Sequence, residues 1–94
     1  MVNNKKGDTM YYFDEVKDTV LEDWVNANNI QTQNLEDKED YLNVLIDDGR
    51  HIKVSGLEDE TRVQIFGNGI TKNHNFVVKD ALSYRQFKSF ILLY

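Results

Sequence analysis

In the stretch YLNVLIDDGRHIKV, residues 41–54, Asp47, Asp48, His51 and Lys53 fall within seven positions of one another. Two carboxylates beside a histidine and a lysine are the raw material of a metal-dependent phosphodiesterase. A PD-(D/E)xK nuclease needs an acid on one strand and a second acid two residues before a lysine on the neighbouring strand. The acids hold Mg²⁺, and the lysine polarises the attacked phosphate or water. Here the position two residues before Lys53 is His51, so the second carboxylate is missing. Glu15-Val16-Lys17 has the right spelling but lies on a helical pattern with no aspartate upstream. The simpler reading is a hairpin turn in which Asp47 caps the loop amides. We therefore expect no catalytic residues.

Other chemistries meet similar obstacles. The chain has no cysteine, hence no disulfide, thiolate nucleophile or zinc–thiolate site. Its two histidines, His51 and His74, have no partners at metal-ligand spacing, so we expect no metal and no cofactor. The Gly67-Asn68-Gly69 turn lacks the lysine, hydroxyl and helix of a phosphate loop. A binding function is the expectation that remains.

The elements that would position such a surface can be read from periodicity. Ninety-four residues are enough for one core. Residues 1–8 read as a disordered leader and 9–94 as a single domain. The segment TMYYFDEVKDTVLEDWVNANN reads as a helix with Phe13, Val16, Val20 and Trp24 on one face, Asp8 or Thr9 at its start and the Asn-rich cluster at its end. Residues 30–40 read as a polar connection with a short extended piece at 30–32. Tyr41–Ile46 and His51–Leu57 read as strands. A three-residue Asp47-Asp48-Gly49 loop would set Val44 opposite Ile52 and Leu42 opposite Val54, gathering the apolar residues on one side. Residues 62–66 give a third strand, and Phe76-Val77-Val78 a short fourth. Tyr84, Phe87 and Ile91 mark a final helix capped by Asp80, or by Ser83 with Gln86. The expected fold is α+β, in two layers. It is a three- or four-stranded antiparallel meander with the N- and C-terminal helices packed on one face.

Charge divides the chain. Residues 1–48 hold four bases and twelve acids, a net −8, whereas residues 49–94 hold seven bases and four acids, a net +3. That asymmetry motivates two candidate surfaces. On the sheet face opposite the core, Tyr41, His51, Lys53 and Arg62 are candidates for nucleic-acid contact, with Arg50 as a further phosphate contact; the rings would stack on bases and the cations meet phosphates. On the first helix, Asp14, Glu15, Asp18 and Glu22 are candidates for meeting a basic protein partner. The Tyr41–Ile46 strand is also a candidate sheet edge. No apolar run is long enough to cross a bilayer, and a cytoplasmic location is expected.

From Tyr41-Leu42-Asn43-Val44-Leu45-Ile46-Asp47-Asp48, with the preceding Leu35-Glu36-Asp37, Arg50 and Ile52 on the next strand, and Val77-Val78-Lys79-Asp80 leading to Tyr84 and Phe87, residues 10–94 resemble a bacterial module. It is the C-terminal accessory module of proteins related to the R subunit of type I restriction enzymes. In those proteins the module follows a nuclease domain, which is missing from this sequence, so no catalytic residue carries over. The arginine usual inside that module's second strand is replaced here by Val54-Ser55. The resemblance implies an accessory role in a restriction system, as DNA engagement or protein docking.

Overall fold

The computed structural model describes residues 12–67 and 73–93. The fold is α+β, with two helices and five antiparallel strands. The strands β1 (Thr32–Asp37), β2 (Tyr41–Ile46), β3 (Arg50–Gly56), β4 (Thr61–Gly67) and β5 (His74–Val78) lie side by side in chain order. Helix α1 (Phe13–Asp18) continues directly into a π-helical segment (Thr19–Asn26), and α2 (Ala81–Leu93) closes the chain. Both helices cover the same face of the sheet. No helix among the described residues is long and apolar enough to cross a membrane.

The β2–β3 hairpin has the register that its apolar alternation requires: Val44 faces Ile52 and Leu42 faces Val54. Gly49 takes a positive φ of 96° and donates its amide to the Ile46 carbonyl at 2.9 Å, so the loop has three residues. The turn is held by Asp48 rather than Asp47. Asp48 Oδ1 accepts the Arg50 amide at 3.0 Å and Oδ2 accepts Arg50 Nε at 2.8 Å. Leu42, Val44, Ile46, Ile52, Val54, Val63, Ile65 and Val78 point to the helices and are buried. Phe13, Val16, Val20, Trp24, Phe87 and Ile91 meet them from the other layer.

The sheet has one strand more than the sequence expectation, and the expected fourth strand at the far edge is longer than expected. Residues read as a polar connection form β1, with Gln33 as an extra residue between the Thr32–Ile46 and Asn34–Leu45 pairs. Strand β5 starts at His74, ahead of the Phe76–Val78 run. Tyr41–Ile46 is therefore an interior strand, contrary to its reading as an edge. At the N-terminus, Tyr12 takes a left-handed φ of 62° immediately before α1, and Asp8 and Thr9 lie outside the described residues. Asn29, with φ 53°, supplies the left-handed residue expected near the helix end. Within the π segment the bonds step by five, as in Ala27 N–H to Glu22 O at 3.0 Å. The doublets Thr19-Val20 and Trp24-Val25 are both buried as a result.

Side-chain contacts tie the two helices to each other and the helix layer to the sheet. Thr19 donates its hydroxyl to the Glu15 carbonyl at 2.9 Å, which leaves Tyr84 Oη as the donor in the 2.7 Å contact between the two hydroxyls. Tyr84 also stacks on Tyr12, with ring centroids 5.5 Å apart. Lys17 reaches from α1 to β1, pairing with Asp37 at 2.8 Å and with the Lys38 carbonyl at 3.2 Å. Asp80 caps α2 by accepting the Ser83 amide at 2.8 Å, and this bond lowers the Asp80 pKa.

The hairpin loop is locked from the side by β4. Gly67 has φ 123°, and a Cβ there would lie 2.3 Å from the Gly49 carbonyl oxygen. Backbone strain and a backbone clash then coincide at one residue. Gly67→Ala is expected to cost roughly 3 kcal/mol of folding stability, measured by denaturant titration against wild type.

Candidate nucleic-acid interface

Neither helix covers the second face of the sheet. Alternation along each strand sends one residue in two to that outer face, and the registers align them into rows across the sheet. The central row runs Glu36, Asn43, Lys53, Gln64, Asn75 and crosses all five strands. One flanking row is Tyr41, Ser55, Arg62, Val77. The other is Asn34, Leu45, His51, Phe66. Four of the five candidate contact residues, Tyr41, His51, Lys53 and Arg62, thus share this surface.

Arg50 does not. It has the same strand parity as Ile52 and Val54, so its side chain turns to the helix layer. There its guanidinium lies 5.5 Å from the centre of the Trp24 ring and pairs with Asp48. Its position on the opposite side of the sheet removes it from the candidate interface.

The outer face is relieved by two shallow depressions. One, of about 530 Å³, is bordered by Tyr41, Asn43, Lys53 and Asp40. The other, of about 430 Å³, is bordered by Arg62, Gln64, Asn75 and Val77. Ser55 and Leu57 line both, so the two adjoin across β3 and β4. Tyr41 is half-buried and offers part of its ring, while Lys53 is exposed between the two amide side chains of its row. Arg62 is exposed as well, but its Nε is engaged by Glu60 at 2.6 Å. An exposed pair of this kind is worth little in water, and a phosphate can compete for the guanidinium.

His51 belongs to a polar relay with a fixed direction. Glu36 can only accept, so the 3.2 Å contact from Asn43 Nδ2 to Glu36 Oε1 orients the amide. Asn43 Oδ1 then faces His51 Nε2, which must carry the proton and donate it. The imidazole also packs against Phe66, with centroids 4.6 Å apart. Burial of the ring, with Lys53 nearby as a second cause, holds the His51 pKa below its usual value. The ring is consequently neutral at pH 7, where it contributes a flat surface and no charge.

Glu36 and Asn75 join this face through β1 and β5, the two strands whose extent the sequence understated. The candidate partner-binding acids stand elsewhere. Asp14, Glu15 and Asp18 on α1 and Glu22 on the π segment are all exposed, on the helix layer. Among the described residues, no three histidine, aspartate or glutamate side chains gather closely enough to hold a metal ion.

Because the His51 pKa is lower in the folded chain than in the unfolded one, the unfolded state binds more protons as the medium acidifies. Its contribution to stability is complete above the unfolded value near 6.5 and is lost as pH falls through the folded value. An NMR titration is expected to place the His51 midpoint below 6.5. His51→Gln should flatten the rise of stability with pH across that window. Compared with family models, curated proteins and solved structures, the chain has no match.

Proposed function

We propose that this chain is a non-catalytic accessory domain of a restriction-type DNA-processing protein, acting in the bacterial cytoplasm and contacting single-stranded DNA through the outer face of its sheet. The observation carrying this reading is the uncovered face on which Tyr41, His51, Lys53 and Arg62 come together. An uncovered sheet face with adjoining depressions suits splayed bases better than it suits a duplex groove. The tyrosine and the neutral imidazole supply stacking surface, Lys53 and Arg62 supply phosphate contacts, and the amides of Gln64 and Asn75 supply hydrogen bonds. The resemblance to the accessory module of restriction enzyme R-subunit relatives supports the biological setting.

Two cations make a weak electrostatic site. With about two phosphates neutralised on a single strand, log affinity should fall against log salt with a slope near −1.4, from about −0.7 per phosphate. Fluorescence anisotropy with labelled oligonucleotides measures this directly. Single strands are expected to bind more tightly than duplexes of the same length. Lys53→Glu should abolish binding, and Lys53→Ala should reduce the slope by about half. No binding at low salt would reject the proposal.

A second reading rests on Asp14, Glu15, Asp18 and Glu22, which are exposed and form no ion pair among the described residues. On this reading α1 and the π segment meet a basic protein, and the chain is an acidic interaction module carried by a mobile element. Replacing the four acids with their amides separates the two readings. DNA binding should persist in that variant if the sheet face is the site. Loss of a basic partner in a pull-down, with DNA binding absent throughout, would favour the helix.

A further inference from the structure

A surface that meets phosphates gains nothing from carboxylates, yet two of them, Glu36 and Asp40, border the depression beside Tyr41 and Lys53. Glu36 is accounted for, because it orients the Asn43 amide. Asp40 is not. Its side chain is exposed, and its carboxylate makes no hydrogen bond or ion pair among the described residues. It therefore accepts no turn amide, the usual reason for an aspartate in a loop. An acid at this place also lowers affinity for a nucleic-acid backbone, so phosphate contact does not explain it.

The backbone fixes where that carboxylate stands. Lys38 donates its amide to the Tyr41 carbonyl at 2.8 Å, closing a two-residue Glu39-Asp40 turn between β1 and β2. The Asp40 carbonyl accepts the Gly56 amide at 2.8 Å, which ties the turn to the end of β3. Asp40 is thus in position before a ligand arrives, and binding needs little ordering there. Tyr41 follows it directly. The Tyr41 ring stacks on no other ring of the described residues, and on β3 it faces the small Ser55. Lys53, which forms no ion pair among the described residues, stands two positions along the same strand, opposite Asn43. The depression that these side chains border, of about 530 Å³, has room for one nucleobase, since clefts that hold small ligands start at about 300 Å³.

Donor and acceptor positions select among the bases. A carboxylate only accepts, and its two oxygens side by side match two neighbouring donors. Guanine alone has such a pair on its Watson–Crick edge, N1–H and N2–H. Adenine and cytosine place an acceptor nitrogen beside the amino group, and thymine flanks its one N–H with carbonyls. That edge of guanine is free in a single strand and occupied in a duplex.

We infer that the β1–β2 turn holds a guanine-selective base site, in which Tyr41 stacks on the purine, Asp40 accepts N1–H and N2–H, and Lys53 meets the adjoining phosphate. The inference rests on the single-strand reading above and adds a base preference to it.

Fluorescence anisotropy at low salt tests the site, with a labelled oligothymidine and the same strand carrying guanines at isolated positions. Wild type should bind the guanine strand about fivefold tighter or more, the low end of what one bidentate base contact discriminates. Inosine in place of guanine lacks the N2 amino group and should remove most of that preference. Asp40→Asn should abolish the preference, because an amide offers one acceptor and one donor group, and should raise affinity for oligothymidine by removing a negative charge. Loss of a merely structural aspartate would lower both affinities together. The Asp40 side chain is exposed, so circular dichroism should show the variant folded. Equal affinity of wild type for the two strands would overturn the inference, as would a preference that survives inosine or Asp40→Asn. Each of those results leaves the sheet-face reading standing. No binding of either strand would reject both.

Discussion

Everything on this sheet follows from the pairing of β2 with β3. Side chains alternate faces with a period of two, so slipping that pair by one residue would send one strand's apolar set into water. Gly49 prevents the slip. Its positive φ closes a three-residue loop, and the Asp48 carboxylate fixes the first amide of the returning strand. Gly67 then seats against the Gly49 carbonyl, so β4 inherits the same register. In the folded chain the acidic bend aligns backbone, through the Asp48 carboxylate on the Arg50 amide.

That register divides the molecule into two chemically distinct sides. The covered side uses its charged groups internally: Lys17 ties α1 to β1, and Arg50 is spent on Trp24 and Asp48. The uncovered side keeps Lys53 exposed in a row that is polar from Glu36 to Asn75. Tyr41, Val77, Leu45 and Phe66 stand in the rows on either side of that polar row. This is a surface with little charge to spend, so any ligand it takes must be held by shape, stacking and amides as much as by cations.

The legible parts of the sequence were those where pattern and burial agree. Leu42, Val44, Ile46, Ile52 and Val54 announced the inner face, and with it the outer positions Tyr41, Asn43, His51, Lys53 and Ser55. Arg50 carries the charge of a phosphate contact, but the parity it shares with Ile52 turns it to the helix layer. Strand β1 was hidden because TQNLED has a single apolar residue, and Leu35, at the margin of the helix layer, remains 41% exposed. An edge strand that buries so little leaves no alternation to read. The apolar run marks the last strand only from Phe76, yet the strand starts at His74, whose ring rests on Phe90. Nothing in the α-periodic residues Phe13, Val16 and Val20 signals the change to five-residue steps; only the buried doublets, seen in three dimensions, give it away.

The widened turn after Asp18 has a consequence for how this chain can vary in length. Five-residue steps amount to one residue more than a normal helix would spend over the same path. Removing a single residue between Thr19 and Glu22 would let the backbone relax to ordinary winding and leave the indole and Val25 in place. The same deletion inside α1 would instead rotate everything beyond it by about 100° and drag the indole from beneath Arg50. The surplus residue is slack that the fold can lose within Thr19–Asn26 but not within α1.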